Sequence, residues 1–380
     1  MTESTNKTPH ILFLFSDTGG GHRSAAQAII EALTVYYPGR VTAEMLDFFI
    51  EYAPPPFDLA VTTYAPMAQV PDLWELGYKL SNGKYRSKLM QEVLWPYVRK
   101  AAERLVEEHP CDLFLSVHPI INTPILRTLG SPHKPYIVVI TDLVSTHALW
   151  YNKSSTLTLA PTDEARERGL ALGLDPGLIT VLGQPIADKF RHPPAPKADL
   201  RRQLGWPEAL PVVLMIGGGD GMGPLEETVQ AVENAQMDLM MAIIAGHNAP
   251  LKNRLEQAGM ATPHRIYGFV NNISDLMNAA DIIITKAGPG TISEAFIAGL
   301  PIILYSRMPG QEDGNVDYVV EKGAGVWAPY PDQVVATLRS WVENPEIRKK
   351  VGATSKKFAR PNASMDIAGK IIEIVDRLKI

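Results

Sequence analysis

IIITKAGPGTISEAFIAGLPIILYSRMPGQEDGN, running from Ile282 to Asn315, reads as strand, glycine turn, helix and second strand. The β-branched run Ile282, Ile283, Ile284 stops at Gly288-Pro289-Gly290. Thr291 is the expected N-cap, and residues 292–298 carry helical apolar spacing. Such a turn points backbone N–H groups and the positive end of a helix dipole at an anion, usually a phosphate. Glu294 lies one turn on, within reach of a ribose, and Gln311, Glu312 and Asn315 form a polar cluster after the next strand. Phosphate, ribose and sugar contacts in that order point to a nucleotide-sugar site.

The same rhythm extends in both directions. Strand-like runs alternate with amphipathic helical patterns at 11–15, 41–46, 112–117, 136–140, 157–160 and 179–182, then at 212–216, 239–245, 265–267, 281–285, 301–304 and 325–327. Alternation of this kind marks parallel α/β domains. Between the halves, Arg191-His192-Pro193-Pro194-Ala195-Pro196 reads as an extended linker, with a helix signal at 199–204 beyond it. The expectation is two Rossmann-like, doubly wound domains facing each other across a cleft, residues 1–190 and 191–360. A closing amphipathic helix over 361–380 is expected to pack back on the first domain, by analogy with two-domain folds of this type.

Composition narrows the possibilities. A hydrophobic fraction of 46%, a charged fraction of 20% and a net charge of −5 describe an ordinary globular chain with no general affinity for nucleic acid. Cys111 is the one cysteine, so no internal disulfide is possible, and a core position is its expected role. The polar start through His10 lacks a signal-peptide core, and no apolar run approaches the ~20 residues that span a bilayer. Any membrane contact is expected to be peripheral, at a cytoplasmic face.

Three glycine turns follow strands: Gly19-Gly20-Gly21-His22, Gly217-Gly218-Gly219-Asp220-Gly221 and Gly288-Pro289-Gly290. Each alone is equally well a tight helix–strand turn. None fits G-x-x-x-x-G-K-[ST], and the first departs from G-x-G-x-x-G, which disfavours a P-loop and a dinucleotide cofactor. Together they carry a resemblance. Ser16-Asp17-Thr18-Gly19-Gly20-Gly21-His22-Arg23, Ser116-Val117-His118-Pro119, Thr141-Asp142-Leu143, residues 217–224 and above all residues 284–320 resemble the monogalactosyldiacylglycerol synthases and related processive diacylglycerol glycosyltransferases.

The resemblance implies a GT-B fold and an inverting glycosyltransferase that uses a UDP-sugar and no essential metal. It assigns uracil to the Val270 backbone, ribose to Glu294, and diphosphate to the backbone of Gly218, Gly219, Gly290 and Thr291. It assigns the sugar hydroxyls to Gln311 and Glu312, with Asn315 supporting their loop. A first-turn carboxylate and loop polarity explain Glu294, Gln311 and Glu312 without a ligand, and a helix cap explains Asn315 equally well. Lys286 either offsets diphosphate charge or simply reaches solvent.

Transfer needs a base for the acceptor hydroxyl. His22, at the carboxyl edge of the first strand, has ordinary imidazole basicity near ~6.5 in its favour. Asp142 ends another strand and would face the same crevice. Either His22 takes the proton with Asp142 orienting it, or Asp142 is the direct base; as helix caps, both would be inert. His118 is as well read as a structural histidine, and His147 as a possible acceptor-side contact.

The acceptor side points to Pro54-Pro55-Pro56 and the segment after it. Phe57, Tyr64, Trp74, Tyr78, Tyr85, Trp95 and Tyr97 interleave with Lys79, Lys84, Arg86, Lys88, Arg99, Lys100 and Arg104. That composition suits the surface of an anionic membrane, with a domain core as the plain alternative. Gly21, His118, Trp74, Tyr78, Arg86 and Trp95 are the candidate acceptor or membrane contacts. The reaction implied is transfer of galactose, or of glucose, to 1,2-diacylglycerol. The rivals are a glycosyltransferase or epimerase acting on a soluble substrate, and an inactive UDP-sugar-binding protein. Oligomeric state is not legible.

Overall fold

The computed structural model describes residues 8–17, 20–55, 57–59, 70–192, 195–219, 221 and 223–378, with only the backbone of Phe57 and Pro71. Thr18 and Gly19 of the first glycine motif, Pro56, Tyr64, Pro193, Pro194, Asp220 and Met222 lie outside these residues.

The chain divides into two units: Met1–Asp188 with Pro309–Gln311 and Asn362–Ile380, and Lys189–Met308 with Glu312–Pro361. In the first, β1 (His10–Phe15), β2 (Thr42–Asp47), β3 (Leu113–Ser116), β4 (Tyr136–Val139), β5 (Leu157–Ala160) and β6 (Ile179–Val181) pair in parallel in the order β2-β1-β3-β4-β5-β6. Among the described residues of this part, the α-helices are α1 (Gly21–Tyr36), α2 (Phe48–Glu51), α3 (Pro71–Ser81), α4 (Lys84–Glu108), α5 (Pro119–Leu129) and α6 (Asp163–Ala171).

Both faces of this sheet are covered, which explains why its strands are continuous apolar runs rather than alternating ones. Ile11, Phe13 and Phe15 of β1 pack in one core with Ala26 and Ile29 of α1 and with Ile367, Ile371 and Val375 near the chain end. Leu12 and Leu14 pack in the other with Ala102 and Leu105 of α4 and Ile121 and Ile125 of α5. Cys111 belongs to this second core, and burial pushes its thiol up to about 12.

The second unit holds β7 (Val212–Ile216), β8 (Met240–Ile244), β9 (His264–Tyr267), β10 (Ile282–Lys286), β11 (Ile302–Ser306) and β12 (Gly325–Trp327), parallel in the order β12-β11-β10-β7-β8-β9. Its helices are α7 (Lys197–Leu204), α8 (Leu225–Asn234), α9 (Ala249–Gln257), α10 (Ile273–Ala279), α11 (Pro289–Ala298), α12 (Asp313–Glu321), α13 (Pro331–Glu343) and α14 (Pro345–Lys356). The last helix, α15 (Ala363–Leu378), belongs to the first unit, where Ser364 Oγ donates to the Ile186 carbonyl at 2.7 Å.

One boundary differs from the sequence reading. Thr291 is not the N-cap of α11; Gly288 occupies that position and Pro289 is the first helical residue. Proline's fixed φ suits N1, and its missing N–H costs nothing where no intrahelical partner exists.

Candidate functional site

Each sheet reverses its strand order once, between β1 and β3 in the first unit and between β7 and β10 in the second. Ligands of open α/β sheets bind beyond the carboxyl ends of the strands at such points. The candidate residues collect at these two places.

In the first unit, His22 is the second residue of α1 and is half-buried. Its Nδ1 lies 2.9 Å from the Thr141 hydroxyl, and the Thr141 hydroxyl donates to the Val117 carbonyl at 3.5 Å. A ring N–H of His22 meets that same carbonyl. With the Thr141 hydroxyl donating to Val117, the tautomer that matches it carries the ring proton on Nδ1. The protein surrounding His22 lowers it to about 4, so the ring is neutral at physiological pH rather than near its ordinary 6.5. His118, buried, meets the His22 ring edge-on at 4.7 Å and Phe49 at 5.4 Å. It is held well below 6.5, first by burial and then by His22.

Asp142 is buried at the end of β4. Its Oδ2 accepts from Trp150 Nε1 at 2.6 Å and its Oδ1 from Gln311 Nε2 at 3.2 Å. The group that orients the His22 ring is thus the hydroxyl of Thr141, one residue before Asp142. Neither residue is a helix cap: Gly20 precedes α1, and the short helix Ala148–Trp150 is capped by His147. His147 is buried and lowered to about 4, mainly by desolvation and then by Arg168, and its Nδ1 accepts from Leu149 N within the loop. Trp150 and Gln184 escaped the sequence reading. Trp150 is fully buried, and Gln184 Nε2 donates to the Thr141 carbonyl at 3.2 Å. A lone tryptophan eight residues after an aspartate carries no signal that the two will meet.

The second unit presents backbone instead. Gly218 and Gly219 follow β7, and Gly290 and Thr291 lie in the first turn of α11 after β10. An added Cβ at Gly219 or Gly290 would meet no atom within 4 Å, so a ligand can approach the main chain there. The turn at 219 is pinned from behind. His247 N donates to the Gly219 carbonyl at 2.8 Å, and Gly246, at φ 61°, comes so close that a Cβ would sit 2.1 Å from the same oxygen. Val270 is half-buried beyond β9, next to Phe269, whose exposed ring stacks on His247 at 4.2 Å.

Glu294 is half-buried by its own surface yet enclosed by protein on a larger scale, and desolvation raises it to about 7 against an opposing pull from Lys189. Lys286 does not reach freely into solvent; its Nζ is 2.7 Å from Glu312 Oε1, and Met308 N donates to Glu312 Oε2 at 2.8 Å. Glu312 is therefore a buried, braced carboxylate rather than a loose loop side chain. Asn315, buried inside α12, donates through Nδ2 to the Ala287 carbonyl at 2.9 Å, which ties α12 to the turn after β10. That bond replaces the capping alternative.

The aromatic–basic segment forms α3 and α4, with an outcome the sequence did not foresee. Trp74, Tyr78 and Trp95 are half-buried. Arg127 stacks over Trp95 at 4.5 Å, and Arg86, exposed, donates to the Lys79 carbonyl at 2.8 Å. Gly21 is exposed at the start of α1. The outward side chains are others: Leu73, Leu76 and Leu80 on α3, and Tyr85, Leu89, Val93 and Tyr97 on α4, with Tyr85 at 82% exposure. Helical spacing lines each set along one stripe. Among the described residues, no helix is long and apolar enough to cross a membrane.

Comparison with known proteins identifies the family and the fold. Residues 22–186 match the monogalactosyldiacylglycerol (MGDG) synthase family model. A probable monogalactosyldiacylglycerol synthase of Nicotiana tabacum is 36% identical over 379 residues, covering 96% of this chain and 70% of the relative. This chain belongs to the monogalactosyldiacylglycerol synthase family. Residues 212–366 match the glycosyltransferase family 28 C-terminal domain. Monogalactosyldiacylglycerol synthase 1 of Arabidopsis thaliana is 34% identical over 378 residues, 96% of this chain and 71% of the relative. Among solved structures, Staphylococcus aureus MnaA with UDP matches with a TM-score of 0.65 at 14% identity over 97% of each chain. Acinetobacter baumannii MurG matches at 0.61 and 13% identity, over 96% of this chain and 99% of its own. The fold of the family member described here is GT-B.

Proposed function

We propose that this chain is a 1,2-diacylglycerol 3-β-galactosyltransferase, moving galactose from UDP-galactose to the hydroxyl of diacylglycerol. The observation that carries the chemistry is the neutral imidazole of His22, fixed at Nδ1 by Thr141 with Nε2 left to accept a proton. Desolvation keeps that base unprotonated at neutral pH. Asp142, a buried carboxylate anchored by Trp150 and Gln311, is the second acidic or basic group of the same unit available to the transfer.

The second unit is the donor side. Amides at Gly218, Gly219, Gly290 and Thr291, with the α11 dipole, meet the charge that builds on departing UDP. Ionised Glu294 accepts from the ribose hydroxyls, the Val270 backbone meets uracil, and Gln311, Glu312 and Asn315 set the sugar loop. The acceptor side is the apolar stripe of α3 and α4, flanked by Lys84, Arg86 and Lys88. It seats the protein on an anionic bilayer surface, where diacylglycerol resides.

The test is lipid product analysis. Purified protein is given diacylglycerol vesicles with UDP-galactose or UDP-glucose, and UDP-galactose alone. Monogalactosyl lipid from UDP-galactose is expected. Glucosyl lipid alone would reassign the hexose, and altered UDP-sugar without acceptor would replace transfer by epimerisation.

A further inference from the structure

The loop after β4 delivers Asp142 and then runs to Trp150, and the carboxyl end of α3 is fastened to it at several points. Tyr78 Oη donates to the Ser145 carbonyl at 2.5 Å, and its ring meets His147 edge-on at 5.2 Å. Ser81 Oγ is 3.1 Å from His147 Nε2. His147 Nδ1 accepts from Leu149 N at 3.2 Å, so Nε2 carries the proton and donates to Ser81. Asn82 Oδ1 accepts from Ala148 N at 3.0 Å and from Arg168 at 2.8 Å, and Arg168 also binds the Thr146 carbonyl.

Tyr78 touches a second strap. Gly310, at φ 80°, lies so close to the ring that a Cβ there would stand 2.9 Å from Tyr78 Cδ1. The next residue is Gln311, which donates to Asp142. One tyrosine therefore abuts both loops whose ends meet at the Asp142 carboxylate. The other side of α3 bears the exposed Leu73, Leu76 and Leu80.

We infer that Tyr78 is a positioning residue for Asp142, and that α3 transmits its own seating on the lipid surface to the proton-transfer site. The inference rests on the site reading above and adds a regulation to it: an ordered α3 orders the loop from 142 to 150 and the strap at 310–311. Membrane docking and catalytic alignment then share one helix, which disfavours turnover before the lipid acceptor is at hand.

Tyr78→Phe removes one oxygen and leaves the ring against Gly310 and His147. Assayed on diacylglycerol vesicles, it is expected to lower kcat about tenfold with KM for UDP-galactose and vesicle binding unchanged. Its melting temperature should stay near that of the parent. In an Asp142→Asn background the same substitution should change kcat by less than about twofold, because its effect runs through that carboxylate. Parental kcat in Tyr78→Phe, or full additivity with Asp142→Asn, would overturn the inference and leave the function standing. Absence of transfer by the parent chain would instead refute the function and the inference together.

Discussion

The carboxyl ends of the two sheets are furnished differently on closely related topologies. At the first, the switch between β1 and β3 is filled with side chains: half-buried His22 and buried His118, Asp142 and Trp150. At the second, the switch between β7 and β10 is lined by main chain at Gly218, Gly219 and Gly290. Moving a proton requires a titratable group whose basicity the surroundings can set, and only side chains offer that. Binding a diphosphate requires several N–H groups converging on one anion, and a glycine turn feeding a helix offers those without a titrating partner.

The sharpest way to break this contrast is to remove the side chain at one end and read both. His22→Ala should lower kcat by about a thousandfold while UDP-galactose affinity changes by less than about threefold. Stopped-assay kinetics and calorimetry check the two halves. Equal losses in kcat and donor affinity would show that the ends are not divided by task.

The second unit has its own pressure point. Lys286→Ala leaves the buried carboxylate of Glu312 without its cation. Because the lysine is partly exposed, the expected loss is about 2 kcal/mol of stability, below the full cost of a broken buried pair. Denaturant titration measures it, and an unchanged midpoint would mean that backbone donors alone hold Glu312.

Glu294 gives the donor end a pH signature. With the carboxyl near 7, UDP-galactose affinity should rise about tenfold between pH 6 and pH 8, as the better acceptor form fills. Glu294→Gln should abolish the slope; a slope that survives belongs to another group.

The smallest effect is on stability, and its sign differs between the ends. His22 and His147 sit near 4 in the folded chain against about 6.5 when unfolded, so the unfolded chain takes up the extra protons in between. Their contribution is lost as pH falls from about 6.5 to 4. Glu294 is raised, so the folded chain holds the extra proton and stability falls as pH rises from about 4.5 to 7. Melting curves of the parent, His147→Asn and Glu294→Gln across this range separate the two.

Much of this was legible in the sequence because it is local. Apolar runs located the twelve strands found among the described residues, each expected segment overlapping one observed strand. The glycine turns after β7 and β10 were equally visible, since a strand–glycine–helix junction is built from consecutive residues. Where the reading slipped, the cause was a contact between distant residues. Thr291 lost its capping role to Gly288 once Pro289 began the helix. Tyr78 and Trp95 looked like membrane aromatics but turn inward, one to Ser145 and one under Arg127, because their helix positions face the protein.

The sequence by itself determined the layered α/β architecture, the two glycine turns after β7 and β10 and the presence of a histidine at the first strand's end. Those follow from period, turn chemistry and composition within short windows. Only the tertiary structure decided which groups touch it. Thr141 meets His22 across 119 residues, and Gln311 reaches Asp142 across 169. Basicity and orientation at such a site depend on desolvation and on hydrogen bonds between remote segments, and those exist only once the chain has packed.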